Sequence, residues 1–302
     1  MVLEYYKPLV IILKIGTSIS IITTIIDIAL YWFFPQNRSF SFSNIIILAF
    51  INLIYSISTL LPAEITIIQP ENTTSCQIQS FLVNLSHCAQ YLQISIIGYC
   101  LFIKLLTKNH LERHPKLYRG FFFILLLSFP LIFSVYIVLT KAYGGYFAFC
   151  WINIYSLYKK DHIKRVFLNY YITIWFLLFM NAFFIVKVKI MMKKNKIKNE
   201  IYEHLMKYPL IIIIFTIPGT FNMIYHIEYN HKDVPFMIFL EVICDCCFGT
   251  VINIYFITSP WIKNSIVNMI KNRKKEEEDD DDLMPRETNK FSIEADNNDN
   301  VN

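Results

Sequence analysis

Long apolar runs separated by short polar stretches dominate this chain. A helix that crosses a membrane needs about 20 mainly apolar residues. Seven runs reach that length, at about 9–34, 43–68, 77–103, 118–140, 164–188, 208–227 and 235–258. The pattern predicts an all-α membrane protein, a seven-transmembrane helix bundle. The first run is too long for a signal-peptide core and has no small-residue cleavage site, so it is expected to be a retained anchor.

Composition agrees with the pattern. Of 302 residues, 55% are hydrophobic and only 17% are charged, against about 25% charged in a soluble domain. The charges set an orientation. With the N-terminus outside, 20 of the 28 Lys and Arg residues fall on cytoplasmic segments and eight fall outside or in the outer membrane. That split follows the positive-inside rule and predicts an outside N-terminus and an inside C-terminus.

After the seventh run, Ile262, Ile266, Met269 and Ile270 share one helical face, with Lys263 and Lys271 elsewhere. This predicts a short amphipathic helix on the inner membrane surface. Seven consecutive acids follow in "KKEEEDDDD". Such a block repels itself and packs poorly. The expected organisation is a seven-transmembrane domain with its surface helix over residues 1–272 and a disordered acidic cytoplasmic tail over 273–302.

Seven cysteines are present, and Cys88, Cys100, Cys244, Cys246 and Cys247 lie within spans. Cys76 opens the third span and Cys150 sits in "FCWI" of the second outer loop. Both face an oxidising compartment, so a bridge between them is expected. It would tie that loop to the top of span 3, with Trp151 packed beside it over the bundle mouth. Seven spans, an outside N-terminus, this bridge, a basic third inner loop and a surface helix together describe a G-protein-coupled receptor.

Several motifs narrow the kind. Span 3 has no acid–Arg–Tyr triplet, span 5 has no proline, and span 7 reads "NIYFITSP", with Asn253, Tyr255 and Pro260. The rhodopsin-like pattern is therefore absent. "CWI" at Cys150–Ile152, "KYPLIIIIFTIPGTFNMIY" in span 6 and "FGTVINIY" in span 7 resemble the slime-mould cyclic-AMP-receptor and cAMP-receptor-like family. The resemblance runs from about Cys76 to the surface helix. It implies a plasma-membrane receptor that binds an extracellular ligand and signals through a heterotrimeric G protein, without implying that cyclic AMP is the ligand. The expected partners are thus that G protein, the lipid bilayer and an unknown extracellular ligand, with no nucleic acid. A seven-helix transporter of a small solute is the alternative, although internal repeats and broken helices of the transporter kind are not evident. A retinal photoreceptor needs a span-7 lysine for its Schiff base, and residues 235–258 hold none. No metal or nucleophile motif such as HExxH is present, so no enzyme and no cofactor are expected.

Ionisable groups at membrane depth are functional candidates by default. By helical rise, Lys14, Glu64 and Glu241 lie roughly 7, 6 and 9 Å below the outer surface. They are expected to adjoin as an ionic cluster or to meet ligand. Span 3 presents Ser80, Asn84, His87, Tyr91 and Ser95 at spacings of 4, 3, 4 and 4, one helical stripe facing the interior. Asn84 and His87, the outer members, are candidate ligand contacts together with Trp151; interhelical hydrogen bonding is the other reading. Glu241 and Asp245 share a face of span 7. On the inner side, Arg113, Arg119, Lys193, Lys194, Lys196 and Lys198 are candidates for meeting the G protein. Asn72-Thr73-Thr74 is a glycosylation sequon very near the membrane.

Overall fold

The computed structural model describes residues 2–34, 40–61, 74–107, 114–146, 149–152, 161–196, 200–228 and 235–283. Eight helices and one small hairpin appear among them, in the order α1 (Val2–Phe33), α2 (Phe40–Leu60), α3 (Thr74–Thr107), α4 (Pro115–Leu139), β1 (Tyr143–Tyr146), β2 (Phe149–Ile152), α5 (Asp161–Lys194), α6 (Glu200–Glu228), α7 (Pro235–Ile257) and α8 (Pro260–Leu283). The first seven helices are each long and apolar enough to cross a membrane. The chain is an all-α helical membrane protein of the seven-span kind. In lipid, backbone N–H and C=O groups find no water, so each span bonds them within itself as a helix.

All seven predicted runs became helices, with shifted ends. The second apolar run extends to about residue 68 in the sequence, but α2 ends at Leu60, where Leu61 N–H closes a tight turn onto Ser58 O. Pro62 follows in the sequence and disfavours helix in the residue before it. Helices α5 and α6 extend beyond their apolar runs through polar sequence, to Lys194 and back to Glu200. Pro115 opens α4 at its first turn, where a missing N–H matters least.

The bundle is organised around α3. Its apolar window is 72% buried, against 22% for α4, so α3 is a central post and α4 an outer stave. It packs on α2, α4, α5 and α6 and on both strands of the hairpin. Many polar side chains turn inward among the apolar ones of the core, and many large apolar side chains face outward, unlike a water-soluble bundle. Gln90 Nε2 donates to Asn52 Oδ1 of α2 at 2.6 Å, Gln93 Nε2 to Asn44 O at 2.7 Å, and Asn181 Nδ2 of α5 to Ser95 Oγ at 2.9 Å. Such bonds replace the hydrophobic drive that lipid does not provide between helices. Meanwhile Ile11, Ile22, Phe123, Ile132, Phe176 and Phe179 stay exposed on the outside.

The pair α1/α7 is closely apposed. A Cβ added to Gly16 would come within 2.5 Å of Cys246 Sγ, and one on Gly249 would overlap Ser20 Oγ. Small residues at such a seam let helix backbones approach. Below them Asn253 Nδ2 donates to Thr24 Oγ1 at 2.6 Å and Thr23 Oγ1 at 3.1 Å.

The chain divides into two units, Met1–Ile262, which holds the bundle, and Lys263–Asn302. Ser259 Oγ accepts from Ile262 N–H at 3.5 Å, and Pro260 follows as the first residue of α8, a Ser-Pro helix start. The helix continues to Leu283, past residue 272, the expected start of the tail; the rest of the expected tail, 284–302, lies outside the described residues. The sequence puts a basic block at 273–275 four positions before acids at 277–279, a spacing at which opposite charges support a helix.

Candidate functional site

The first component is a cap. Strands β1 and β2 form an antiparallel hairpin in which Gly144 faces Trp151 and Gly145 faces Cys150. Cys150 is bridged to Cys76 at the start of α3, with Cα atoms 5.3 Å apart at a sequence separation of 74. The predicted disulfide is therefore present. Polar bonds reinforce it. Gln79 Oε1 accepts from Cys150 N–H at 2.9 Å, while Gln79 Nε2 donates to Ser58 O at 2.9 Å, which joins the hairpin, α3 and α2. Ser80 Oγ donates to Trp151 O at 3.2 Å. Phe149, Cys150, Trp151 and Ile152 are all buried, so this short strand is a plug seated in the bundle.

Beneath the plug lies a cavity with about 460 Å³ of space unoccupied by atoms, its mouth included. Phe149 and Trp151 line it from the hairpin, His87 and Tyr91 from α3, Tyr170 and Tyr171 from α5, Thr216 and Gly219 from α6, and Glu241 and Asp245 from α7. Tyr55 of α2 completes the wall. A second space of about 280 Å³ shares Tyr55, His87, Tyr91 and Asp245 and reaches on to Gln90 and Phe248.

Bonds between helices fix these walls. His87 Nδ1 shares a hydrogen bond with the Tyr170 hydroxyl, and its ring stacks between Tyr55 at 5.7 Å and Tyr170 at 6.1 Å. Tyr91 and Thr216 share a hydrogen bond of 2.8 Å between α3 and α6. Asn222 Nδ2 donates to Glu241 Oε2 at 2.5 Å between α6 and α7. A Cβ on Gly219 would sit 3.2 Å from Glu241 Oε1, so that position leaves room for the carboxylate.

The candidate ligand residues separate into groups. His87, Trp151 and Glu241 meet at the cavity. Asn84 does not line it; its Oδ1 accepts from Trp151 Nε1 at 2.7 Å and sets the tilt of the indole. Glu64 and Asn72 lie outside the described residues. Lys14 is exposed on α1, whereas Glu241 is 4% exposed inside the bundle, and no ion pair joins them among the described residues. The inward stripe of α1 is Leu13, Thr17, Ser20, Thr24 and Asp27. Lys14 is one residue, about 100° of rotation, off it. In a double-mutant cycle of Lys14→Met and Glu241→Gln, thermal stability in detergent is expected to show a coupling below about 0.5 kcal/mol. A larger coupling would mean the two side chains meet.

Of the cavity's tyrosines only Tyr91 stands out in the sequence; Tyr55, Tyr170 and Tyr171, with Phe149 and Phe215, and the bridging role of Gln79 do not. Gln79 is one helical turn beyond Cys76, a position from which a polar side chain reaches whatever that cysteine holds. At the opposite ends of the helices, Arg119, Lys193, Lys194 and Lys196 are exposed, and Lys196 has a positive φ of 51° in the turn after α5. Arg113 and Lys198 lie outside the described residues. Compared with models of known protein families and with curated proteins, the sequence matches none.

Proposed function

We propose that this chain is a G-protein-coupled receptor of the plasma membrane, with its N-terminus outside. A small extracellular ligand binds in the cavity beneath the hairpin, and a heterotrimeric G protein is engaged at the other end of the bundle. The single observation that carries the reading is the capped cavity. A disulfide-held plug closes one end of a polar and aromatic space to which α2, α3, α5, α6 and α7 all contribute. A ligand there touches five helices at once and can favour one arrangement of them over another.

The charge pattern supports the orientation. The exposed cations Arg119, Lys193, Lys194 and Lys196 lie away from the hairpin, at the ends of the helices that the positive-inside rule places in the cytoplasm. Val267, Met269 and Ile270 of α8 are each between 42% and 50% exposed. Such apolar exposure suits a helix resting on the inner membrane surface.

The test is ligand-driven guanine-nucleotide exchange on a G protein, with the full chain in lipid nanodiscs. Neutralising Lys193, Lys194, Lys196 and Lys198 together is expected to lower exchange by about three- to tenfold while ligand binding and surface level hold. Unchanged exchange at equal expression would leave those lysines a topogenic role only. Solute flux in proteoliposomes with no nucleotide exchange would replace the receptor by a transporter.

A further inference from the structure

We infer that the half of the bundle away from the hairpin contains a buried hydration site between α1, α6 and α7, where ordered water joins the carboxyl of Asp27 to Tyr208 and Asn253. The site is separate from the cavity beneath the hairpin. It stands whether the bundle works as a receptor or as a transporter.

Three buried side chains there carry polar atoms that the protein itself does not satisfy. Asp27 is 1% exposed, and neither of its carboxyl oxygens has a hydrogen-bond partner. Tyr208 and Asn253 are each 0% exposed, and the Tyr208 hydroxyl and Asn253 Oδ1 are unpaired in the same way. Buried polar atoms nearly always find a partner, either in the protein or in ordered water. An acid at membrane depth is costly and faces a bundle interior or a water-filled space.

The three residues converge. Asp27 is six residues from the end of the α1 span at Phe33, and Tyr208 is six from the start of the α6 span at Tyr202. Both are therefore roughly 9 Å from the same end of the bundle. Asp27 follows Thr24 by three positions, which puts both on one face of α1. Thr24 Oγ1 accepts from Asn253 Nδ2 at 2.6 Å, and the other atom of that amide is the unpaired Oδ1. The Tyr208 ring stands at 73° to Tyr255, with centroids 5.4 Å apart, and Tyr255 is two residues beyond Asn253 on α7. Asp27 and the Tyr208 hydroxyl are near enough to interact electrostatically, yet they form no direct hydrogen bond. Helix α7 packs on both α1 and α6, so a bridge across this point ties three helices together.

Water suits the set of atoms better than an ion does. The carboxyl oxygens and the amide oxygen accept hydrogen bonds, and the Tyr208 hydroxyl can donate one. A single water can donate to Asp27 and to Asn253 and accept from Tyr208. That gives it three partners, the usual number for a buried water. A metal cation would serve the oxygens but offer the tyrosine proton no acceptor.

Radiolytic labelling tests this. The full chain in nanodiscs is exposed to X-ray pulses that turn water into hydroxyl radicals where it stands, and oxidised residues are mapped by mass spectrometry. Internal water labels the side chains beside it. Tyr208 is expected to be oxidised several-fold faster than Phe256, which is equally buried at 0% exposure. Asp27→Leu is expected to bring Tyr208 down to the Phe256 rate, and Asp27→Asn, which keeps an acceptor and the volume, to retain the labelling. Asp27→Leu and Tyr208→Phe should each lower the melting temperature by about 3–8 °C. The double variant should fall little further, because both changes open one bridge. Tyr208 oxidised no faster than Phe256 would overturn the inference, and that comparison needs no variant. Unchanged labelling in Asp27→Leu, or additive melting losses, would overturn it too. A melting shift given by sodium chloride but not by choline chloride, and abolished in Asp27→Asn, would assign the site to a cation in place of water.

Discussion

Cys76→Ser and Cys150→Ser are each expected to destabilise the protein by about 2–5 kcal/mol, and the double variant to add little to either. Removing either sulfur opens the same cross-link, which closes a sequence separation of 74 residues. More than chain entropy is at stake. Phe149, Cys150, Trp151 and Ile152 are buried together, and Trp151 and Phe149 form part of the cavity wall. Without the bridge, the plug is held mainly by Gln79, Ser80 and Asn84, which bond to Cys150 N, Trp151 O and Trp151 Nε1. Net contributions of about 0.5–1.5 kcal/mol each are ordinary for such bonds, so they do not replace it. In detergent the melting temperature should fall by about 5–15 °C, with surface level falling in step. Clearly additive losses in the double variant, or an intact fold that shows no bridge on non-reducing peptide mapping, would reject the pairing.

Gly249→Leu should separate α1 from α7 and destabilise the bundle by about 3 kcal/mol or more, with overpacking alone accounting for about 1–3. Even a Cβ at this position overlaps Ser20 Oγ. Ser20 also receives a bond from Ser56 Oγ at 3.1 Å and, at its carbonyl, from Asn253 Nδ2 at 3.4 Å. A side chain that pushes α1 away thus also strains the contacts of Asn253 with Thr23 and Thr24. Gly120→Ala is the matched control, because nothing stands within 4 Å of a Cβ there. It should change stability by less than about 1 kcal/mol, in the favourable direction for a helix interior. Thermal melts of the two variants side by side decide the matter. A Gly249→Leu protein as stable as the parent would mean the α1/α7 seam is looser than its geometry.

What could be read in the sequence was whatever depends on one helix at a time. Spans are legible because length and apolarity are local. The α3 stripe is legible because spacings of 4, 3, 4 and 4 fix a shared face, and Ser80, His87, Tyr91 and Ser95 do turn inward. The bridge was legible because five of the seven cysteines lay in lipid-crossing runs. Rotation about a helix axis was harder. Lys14 and Glu241 were matched by depth alone, yet one points out and the other in. The signal for α1 was present in its inward polar residues, Thr17, Ser20, Thr24 and Asp27, from which Lys14 is offset. The hairpin was not legible at all. "YGGY" and "FCWI" are four residues each with no alternation of apolar and polar positions, and only the bundle beneath makes burying all four of FCWI favourable. The cavity needed side chains from five helices and a strand, a coincidence that no one-dimensional pattern contains.

The seating of the plug has a kinetic consequence. Cys76 is 1% exposed and Cys150 0%. A thiolate breaks a disulfide only by reaching one of its sulfurs in line with the bond, so access governs the rate as much as driving force does. A water-soluble reductant therefore acts on this bridge only in the moments when the hairpin lifts. Loss of the bridge would then serve as a clock for that lifting, and a ligand in the proposed site beneath the hairpin, by holding Trp151 down, would slow that clock without touching either sulfur.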